Sequence, residues 1–228
     1  MPKLKILFVL YPGVTHLDFT GPHQVLSRAP NSETIVASLG GRDIEAEGLT
    51  FTNLADLAKI DRCDVICIPG GFGTTAAMLD EAFMAQVRRL GAGAKYVTSV
   101  CTGSLILAAA GFLKGKRAAC HWAWRSLLEP FGAIVGEERV VRDDNTITGG
   151  GVTAGIDFGF VMLEELAGRD YAEAVQLGLE YAPDPPFHSG RPELARPEIL
   201  AQVKARMASA TDSRSEAALE ASRRTEPA

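Results

Sequence analysis

The chain has 228 residues, of which 46% are hydrophobic and 22% charged, and its formal net charge is −5. This length suits one α/β domain with a sizeable core, and the composition is ordinary for a globular protein. The acidic balance argues against a nucleic-acid partner, and no apolar run approaches the roughly 18 residues of a membrane span. The apolar run at residues 6–10 meets Pro12 without a signal-peptide pattern, so we expect a cytoplasmic protein.

Strand and helix patterns alternate along the chain. Apolar runs predict strands at residues 5–11, 33–39, 64–69, 95–100, 138–142 and 146–148, with a hairpin within 44–54 and a short strand from 117. Helical patterns cover residues 20–28, 80–90, 102–110, 124–131, 153–166, 170–181 and 197–207. This alternation predicts a doubly wound, mainly parallel sheet with helices on both faces.

The domain boundary is predicted from composition. Residues 1–208 are expected to form one α/β domain. Residues 209–228 are rich in Ser, Ala, Glu and Arg without a clear apolar stripe, so this polar tail is expected to fray.

A cysteine stands where the strand at 95–100 ends and a helical pattern begins. Free backbone N–H groups at a helix N-terminus favour an anion, so the position of Cys101 favours the thiolate, the nucleophilic form of cysteine. Cys63 and Cys67 lack a matched second pair of metal ligands, so no metal site is expected. We expect all four cysteines to be reduced, and Cys101 to be the candidate nucleophile.

Two other strand ends carry an acid and a glycine pair. Asp18 follows the first strand in a predicted loop, just before Thr20 as the expected helix cap, and Gly70-Gly71 closes the strand at 64–69. The carboxyl ends of parallel strands lie on one edge of a sheet, so we expect these residues to meet Cys101 in one crevice. Each also has an ordinary interpretation, as a capping acid, a tight turn or a buried structural thiol.

Several segments together resemble the ThiJ/PfpI superfamily. They are Asp18-Phe19-Thr20-Gly21-Pro22, Ile68-Pro69-Gly70-Gly71, Cys101-Thr102-Gly103-Ser104 and His121-Trp122. Within it the chain is most similar to the isocyanide hydratase branch, because an aspartate follows the first strand, a threonine follows the cysteine, and residues 149–158 and 179–183 match. The resemblance covers about residues 4–185 and implies a flavodoxin-like, or class I glutamine amidotransferase-like, fold and a homodimer.

The resemblance also implies a reaction. A small organic isocyanide would gain water and become an N-substituted formamide, with no metal, nucleotide or redox cofactor. Cys101 would form a covalent thioimidate, Asp18 would carry the proton, and Thr102 would assist. The N–H groups of Gly71 and Thr102 are candidate donors to developing negative charge. Desolvation and the neighbouring thiolate would raise the pKa of Asp18, so that Asp18 and Cys101 share one proton.

The remaining candidates would shape a substrate pocket. Phe72 and Trp122 either line an apolar site or belong to the core, and His121 is either a wall of the cleft or a catalyst. The run of glycines ending at Gly151 either lets backbone approach the site or forms a tight turn. Val152 stands where the branch usually has a larger aliphatic residue.

Two other functions fit the same residues. Other superfamily members attack the carbonyl carbon of α-oxoaldehydes with this cysteine, so a glyoxalase or deglycase is the alternative enzyme. A low-pKa thiol also oxidises readily, which suits a redox sensor without turnover. Protease-like members carry a histidine directly after the nucleophile, and Thr102 occupies that position here, so that Cys-His dyad is absent.

Overall fold

Most strands of this protein lie in one central sheet. A computed structural model describes residues 3–225. Its strands are β1 (Leu4–Leu10), β2 (Ser32–Ser38), β3 (Ile44–Ala46), β4 (Leu49–Phe51), β5 (Ala55–Asp56), β6 (Val65–Ile68), β7 (Tyr96–Val100), β8 (Arg117–Ala118), β9 (Ile134–Val135), β10 (Val140–Asp143) and β11 (Thr146–Gly149). Seven of them form one sheet in the order β10-β11-β7-β6-β1-β2-β5, parallel except for β10. The predicted doubly wound, mainly parallel fold is therefore confirmed.

Helices cover both faces of this sheet. They are α1 (Leu17–Leu26), α2 (Thr74–Leu79), α3 (Glu81–Ala92), α4 (Gly103–Ala109), α5 (Ala154–Ala167), α6 (Arg169–Gly178) and α7 (Pro197–Thr225). The helix predicted up to residue 131 is instead a 3-10 helix, Arg125–Phe131, which contains Pro130. The hairpin predicted within 44–54 forms as the separate antiparallel pair β3–β4. No helix within residues 3–225 is long and apolar enough to cross a membrane.

Strand β1 shows why its sequence is apolar from Ile6 to Leu10. Leu7 and Val9 belong to the core under α2, α3, α4 and α7, whereas Ile6 and Phe8 belong to the core under α1 and α5. Successive side chains of a strand point to opposite faces, so a strand covered on both faces is hydrophobic at every position.

The order of the strands opens a crevice at one edge of the sheet. The chain passes from β1 to β2 on one side and then places β6 on the other side of β1. Such a reversal leaves a gap outside the carboxyl ends of the two central strands. The segments after β1, β6 and β7 carry Asp18, Gly70 and Cys101 to this edge.

The helix after β1 begins earlier than its sequence predicts. The structure places the start of α1 at Leu17, so Asp18 lies in the first helical turn instead of a loop. Thr20 is inside the helix, where its hydroxyl donates to the His16 carbonyl at 3.0 Å, and it is not the cap. An acidic residue in a first turn interacts favourably with the helix N-terminus.

The C-terminal segment departs most from expectation. Residues 209–225, predicted to fray, continue α7 to its end, while residues 226–228 of that predicted tail lie outside the described residues. The buried face carries three alanines, Ala217, Ala218 and Ala221, together with Arg214. Alanine is the best helix former, but it adds little apolar signal to a sequence. The polar composition of residues 209–225 therefore did not predict a packed helix.

The packing of α7 can be tested with a matched pair of alanines. Ala218 is fully buried and Ala201 is exposed on the same helix. Overpacking a filled core costs about 1–3 kcal/mol, so we expect Ala218→Leu to lower the free energy of unfolding by that amount. Ala201→Leu is expected to leave it nearly unchanged in the same urea titration. Equal effects of the two substitutions would contradict a docked helix.

Candidate active site

Cys101 occupies the sharp turn between β7 and α4. Its φ is +59°, a left-handed conformation that non-glycine residues seldom adopt. The turn is held by the Cys101 N–H, which donates to the carbonyls of Gly149 at 3.0 Å and Gly150 at 2.8 Å. The residue is 4% exposed. Backbone conformations of this kind persist where the surrounding structure enforces them, often at functional sites.

The other three cysteines are buried thiols without this turn. Cys63, Cys67 and Cys120 are free, and burial raises the pKa of each to about 12. Within residues 3–225, no group of three or more His, Cys, Asp or Glu side chains is arranged to hold a metal ion. Of the four cysteines, Cys101 alone has a positive φ.

Asp18 is fully buried, and its two carboxyl oxygens have different surroundings. Oδ2 accepts a hydrogen bond from the Gly70 N–H at 2.9 Å. Oδ1 has no hydrogen bond of ordinary geometry. The Cys101 sulfur adjoins the carboxyl closely enough for each group to shift the pKa of the other. One oxygen is thus fixed by the backbone, and the other has no such bond.

Burial determines the protonation of this pair. It raises the pKa of Asp18 to about 7, in the direction predicted from the sequence, against the lowering effects of Cys101 and the Gly70 N–H. Burial also raises the pKa of Cys101 well above its usual range; Asp18 and Cys120 add to this effect and the Thr102 N–H opposes it. Above pH 7 the pair therefore holds one proton.

The sequence predicts a lowered pKa for Cys101, and this prediction is wrong, because burial raises the pKa instead. The helix that follows has only seven residues, and its N–H groups do not offset the loss of hydration around a sulfur that is 4% exposed. Desolvation disfavours the charged form of a thiol, whatever the direction of the helix. Near neutral pH, Cys101 is consequently a thiol beside a carboxylate, and a reaction at its sulfur would first need the removal of that proton.

The raised pKa of Asp18 predicts a pH dependence of stability. The folded protein binds this proton more tightly than the unfolded chain, so the contribution is fully present below about pH 4 and is lost as pH rises through 7. Asp18→Asn removes it. We expect the unfolding free energy of the variant, relative to wild type, to rise by about 4 kcal/mol between pH 4 and 8 in urea titrations. Asp212→Asn, an exposed change on α7, is the control, and a pH-independent difference for Asp18→Asn would contradict the raised pKa.

A chain of buried hydroxyl groups supports the glycine turn after β6. It runs from the Gly71 N–H through the hydroxyls of Thr102, Thr74 and Tyr11 to the Pro69 carbonyl, at 3.0, 2.8, 3.0 and 2.7 Å. The Tyr11 hydroxyl donates to the carbonyl and therefore accepts from Thr74, which in turn accepts from Thr102. Each of these hydroxyl groups therefore donates toward the Pro69 carbonyl.

These hydrogen bonds determine which donors remain for the Cys101 sulfur. The Gly71 N–H donates to the Thr102 hydroxyl, so it is not free to stabilise an anion as the sequence suggested. The Thr102 hydroxyl donates along the chain, away from Cys101. The Thr102 N–H, in contrast, faces the sulfur and lowers its pKa. Thr102 contributes to the site through its backbone.

His121 is a neutral wall residue. Burial lowers its pKa to about 4, and the positive charge of Arg214 adds to that effect. Its Nδ1 accepts a hydrogen bond from the Ala123 N–H at 3.2 Å, so Nε2 carries the proton. The ring lies 5.6 Å from the ring of Trp122 and 4.9 Å from that of Trp124. These contacts give His121 no hydrogen bond to Cys101.

A cavity of about 250 Å³ brings several predicted binding residues together. His121, Trp122, Gly151 and Val152 line it. Its wall also contains Cys120 and Gly150, and the Gly150 carbonyl accepts the Cys101 N–H at 2.8 Å. A Cβ added at Gly151 would lie 3.0 Å from the His121 ring, so the glycine allows close packing against the ring. The cavity adjoins the turn that carries Cys101, but Cys101, Asp18 and Thr102 do not themselves line it.

Two predicted binding residues lie elsewhere. Phe72 is 66% exposed and contacts Trp124 edge to face, with ring centres 6.5 Å apart. Gly71 packs against the segment after β1, where it forms an isolated bridge with Val14. Its φ is +145°, and a Cβ added there would lie 2.4 Å from the Gly13 carbonyl oxygen, so the position needs glycine. Neither residue lines the cavity.

Sequence reasoning missed Arg214 of α7. This side chain is 1% exposed, and its Nη2 donates to the carbonyls of Gly71 at 2.9 Å and Phe72 at 3.3 Å. Its guanidinium lies 4.2 Å from the centre of the Trp124 ring. The spacing of the alanines on α7 was the available signal, because it marks the buried face on which Arg214 lies.

Comparisons with known proteins agree with this architecture. The DJ-1/PfpI family model matches residues 4–165. The chain is 46% identical over 217 residues to an isonitrile hydratase of Pseudomonas putida, covering 93% of this chain and 94% of that protein. The crystal structure of a ThiJ/PfpI family protein from Pseudomonas syringae has a TM-score of 0.92 and 41% identity, covering 96% and 91% of the two chains. Drosophila melanogaster DJ-1beta has a TM-score of 0.68 and 27% identity, covering 79% and 100%. This chain therefore belongs to the DJ-1/PfpI family.

Proposed function

We propose that this protein is an isocyanide hydratase, which converts a small organic isocyanide into an N-substituted formamide. The 46% identity to a protein named isonitrile hydratase supports the reaction class. The observation that carries the proposal is the buried Asp18 carboxyl beside Cys101, with one oxygen bound to the Gly70 N–H and the other without a partner. A cysteine and a carboxyl are the two groups that this reaction needs.

The chemistry of an isocyanide explains this requirement. The terminal carbon of R–N≡C accepts a nucleophile and a proton at the same atom. The two groups that supply them must therefore lie next to one another, and not on opposite sides of the substrate. The Asp18 carboxyl and the Cys101 thiol adjoin directly, so a carbon in contact with the sulfur is also within reach of Oδ1.

In the first step, the Cys101 sulfur attacks the terminal carbon. The Asp18 carboxylate accepts the thiol proton as the C–S bond forms, and then gives it to the same carbon. The product is the thioimidate R–N=CH–S–Cys101, which contains every atom of thiol and isocyanide. Asp18 ends the step ionised again, as a general base and acid whose pKa of about 7 suits both roles.

In the second step, water adds to the thioimidate carbon. Asp18 accepts a proton from the water as the C–O bond forms and passes that same proton to the substrate nitrogen, which gives R–NH–CH(OH)–S–Cys101. Collapse of this intermediate breaks the C–S bond and releases R–NH–CHO, while the hydroxyl proton passes through Asp18 to the sulfur. The Thr102 N–H faces the sulfur and stabilises negative charge as the sulfur leaves.

The neighbouring cavity suits the organic group of such a substrate. Trp122 and Val152 provide apolar surface beside the neutral His121. The rest of the wall carries charged residues, namely Arg125, Glu137, Glu138, Arg139, Arg191 and Glu193, so the R group is expected on the Trp122 side. A volume of about 250 Å³ accommodates a small aryl or alkyl group. We expect the R group to lie in this cavity while the terminal carbon meets Cys101.

Identification of the product tests the proposal. Wild-type protein is incubated with p-nitrophenyl isocyanide, and formation of the N-aryl formamide is followed by chromatography. Parallel incubations with methylglyoxal and hydrogen peroxide test for lactate formation and for oxidation without turnover. Formamide formation is the expected result. Lactate as the only product would favour the oxoaldehyde enzyme, and thiol oxidation as the only reaction would favour the sensor.

A further inference from the structure

Arg214 is a buried cation without an acidic partner. It is 1% exposed, and within residues 3–225 no carboxylate forms an ion pair with it. Its Nη1 and Asp18 Oδ1 are the two buried side-chain nitrogen or oxygen atoms in the described part of the chain that lack a hydrogen-bond partner. A buried charge is costly unless other charges and hydrogen bonds compensate it. The surroundings must therefore supply the missing negative charge.

The negative charge available nearby is that of the catalytic pair. The titratable or charged groups that act on Asp18, Cys101 or Arg214 are Tyr11, Glu47, Cys67, Cys120 and His121. Tyr11 and the two cysteines have pKa values raised by burial and are neutral near pH 7. His121 is neutral as well, and Glu47 is half exposed and lies next to His16. The single charge held by Asp18 and Cys101 thus remains as the counterpart of the guanidinium.

Hydrogen bonds connect the guanidinium, through the turn after β6, to Asp18 and to the residue that follows Cys101. Arg214 binds the carbonyls of Gly71 and Phe72, on the turn after β6. The same turn donates the Gly70 N–H to Asp18 and the Gly71 N–H to Thr102, the residue after the nucleophile. The orientation of this turn therefore sets the positions of the carboxyl and of the backbone beside the sulfur.

We propose that Arg214 is a positioning residue of this site: it fixes the Gly70–Phe72 turn and supplies the positive charge that balances the charge shared by Asp18 and Cys101. Helix α7, which carries it, begins beyond residues 4–165, the part of the chain that the family model matches. A segment outside the family's common core therefore completes the electrostatics of the site. The inference rests on the proposed function only for its kinetic readout.

Removal of this charge has a defined electrostatic consequence. The guanidinium and the Cys101 thiolate attract each other, and a nearby cation favours the deprotonated form of a thiol, so Arg214→Met is expected to raise the pH at which the thiol proton leaves. Methionine keeps an apolar chain against Trp124 but carries no charge. We expect the midpoint of thiolate formation to rise by about one pH unit. Arg214→Lys keeps the charge and is expected to restore at least half of the shift, although it loses the paired bonds to the two carbonyls.

The experiment titrates the ultraviolet absorbance of the Cys101 thiolate, with the Cys101→Ala protein as background. The rate of alkylation by iodoacetamide against pH gives a second measurement of the same midpoint. Neither readout requires isocyanide turnover, so failure of the proposed function leaves this test intact. Arg224→Met is the matched control, since Arg224 lies on the same helix but forms exposed ion pairs with Glu81 and Glu220.

The outcomes separate electrostatic positioning from simple packing. A raised midpoint in Arg214→Met, with recovery in Arg214→Lys and no change in Arg224→Met, supports the inference. If formamide is produced, kcat/KM of Arg214→Met at neutral pH should fall about tenfold, because the thiol proton becomes harder to remove. Unchanged midpoints in folded Arg214→Met protein, or equal shifts in the methionine and lysine variants, would overturn it.

Discussion

Replacing Cys101 with alanine is expected to abolish formamide formation. Alanine removes the atom that bonds to the isocyanide carbon, and no neighbouring thiol occupies the same turn. Loss of a covalent nucleophile commonly lowers kcat by a factor on the order of 10⁴ or more. Initial rates with p-nitrophenyl isocyanide, measured for wild type and Cys101→Ala, check this result.

A second measurement tests the covalent step itself. Acid quenching of wild-type protein during turnover should trap an adduct whose added mass equals one intact isocyanide, and peptide mapping should place it on Cys101. Cys63→Ala is the matched control, because Cys63 is also a buried free cysteine but lies near the Leu90 carbonyl. That variant should keep full activity and the adduct. Substantial activity in Cys101→Ala, or an adduct on another residue, would contradict the proposed mechanism.

The sequence predicted the sheet well because each buried strand carries its own signal. Strand β1 is apolar from Ile6 to Leu10, where it is covered on both faces, and its predicted range of 5–11 differs by one residue at each end from Leu4–Leu10. Helix α7 lacked such a signal. Its buried face is made of alanines and one arginine, Arg214, and its contacts are with elements far away in the chain, which composition alone does not reveal.

The candidate site was likewise predicted only in part from the sequence. Topology brings Asp18, Gly70 and Cys101 to one edge, and a pattern of strand ends is enough to predict that placement. Burial and the direction of hydrogen bonds are properties of the assembled fold. The pKa of the thiol, the occupied Gly71 N–H and the exposed position of Phe72 therefore required coordinates.

The glycine turn after β6 offers the sharpest structural test of the pair. A Cβ at Gly70 would lie 2.5 Å from the Thr102 nitrogen, 2.6 Å from its Oγ1 and 2.8 Å from Asp18 Oδ2. All three are shorter than real Cβ contacts, and the Thr102 nitrogen is backbone. Gly70→Ala must therefore displace either the carboxyl from its N–H donor or the Thr102 N–H from the sulfur.

Either displacement separates groups that must reach one carbon atom together. Misplacement by about 1 Å can lower a rate on the order of 100-fold, so we expect at least that loss in kcat/KM for Gly70→Ala. Gly178→Ala is the control, because no atom lies within 4 Å of a Cβ built there.

The pH profile of Gly70→Ala shows which group moves. If the carboxyl moves, loss of the Gly70 N–H bond will raise the pKa of Asp18 further and shift the acidic limb of the pH profile upward. If Thr102 moves instead, the limb will stay in place while kcat falls. Activity equal to wild type in folded Gly70→Ala protein would show that proton transfer does not depend on an anchored carboxyl.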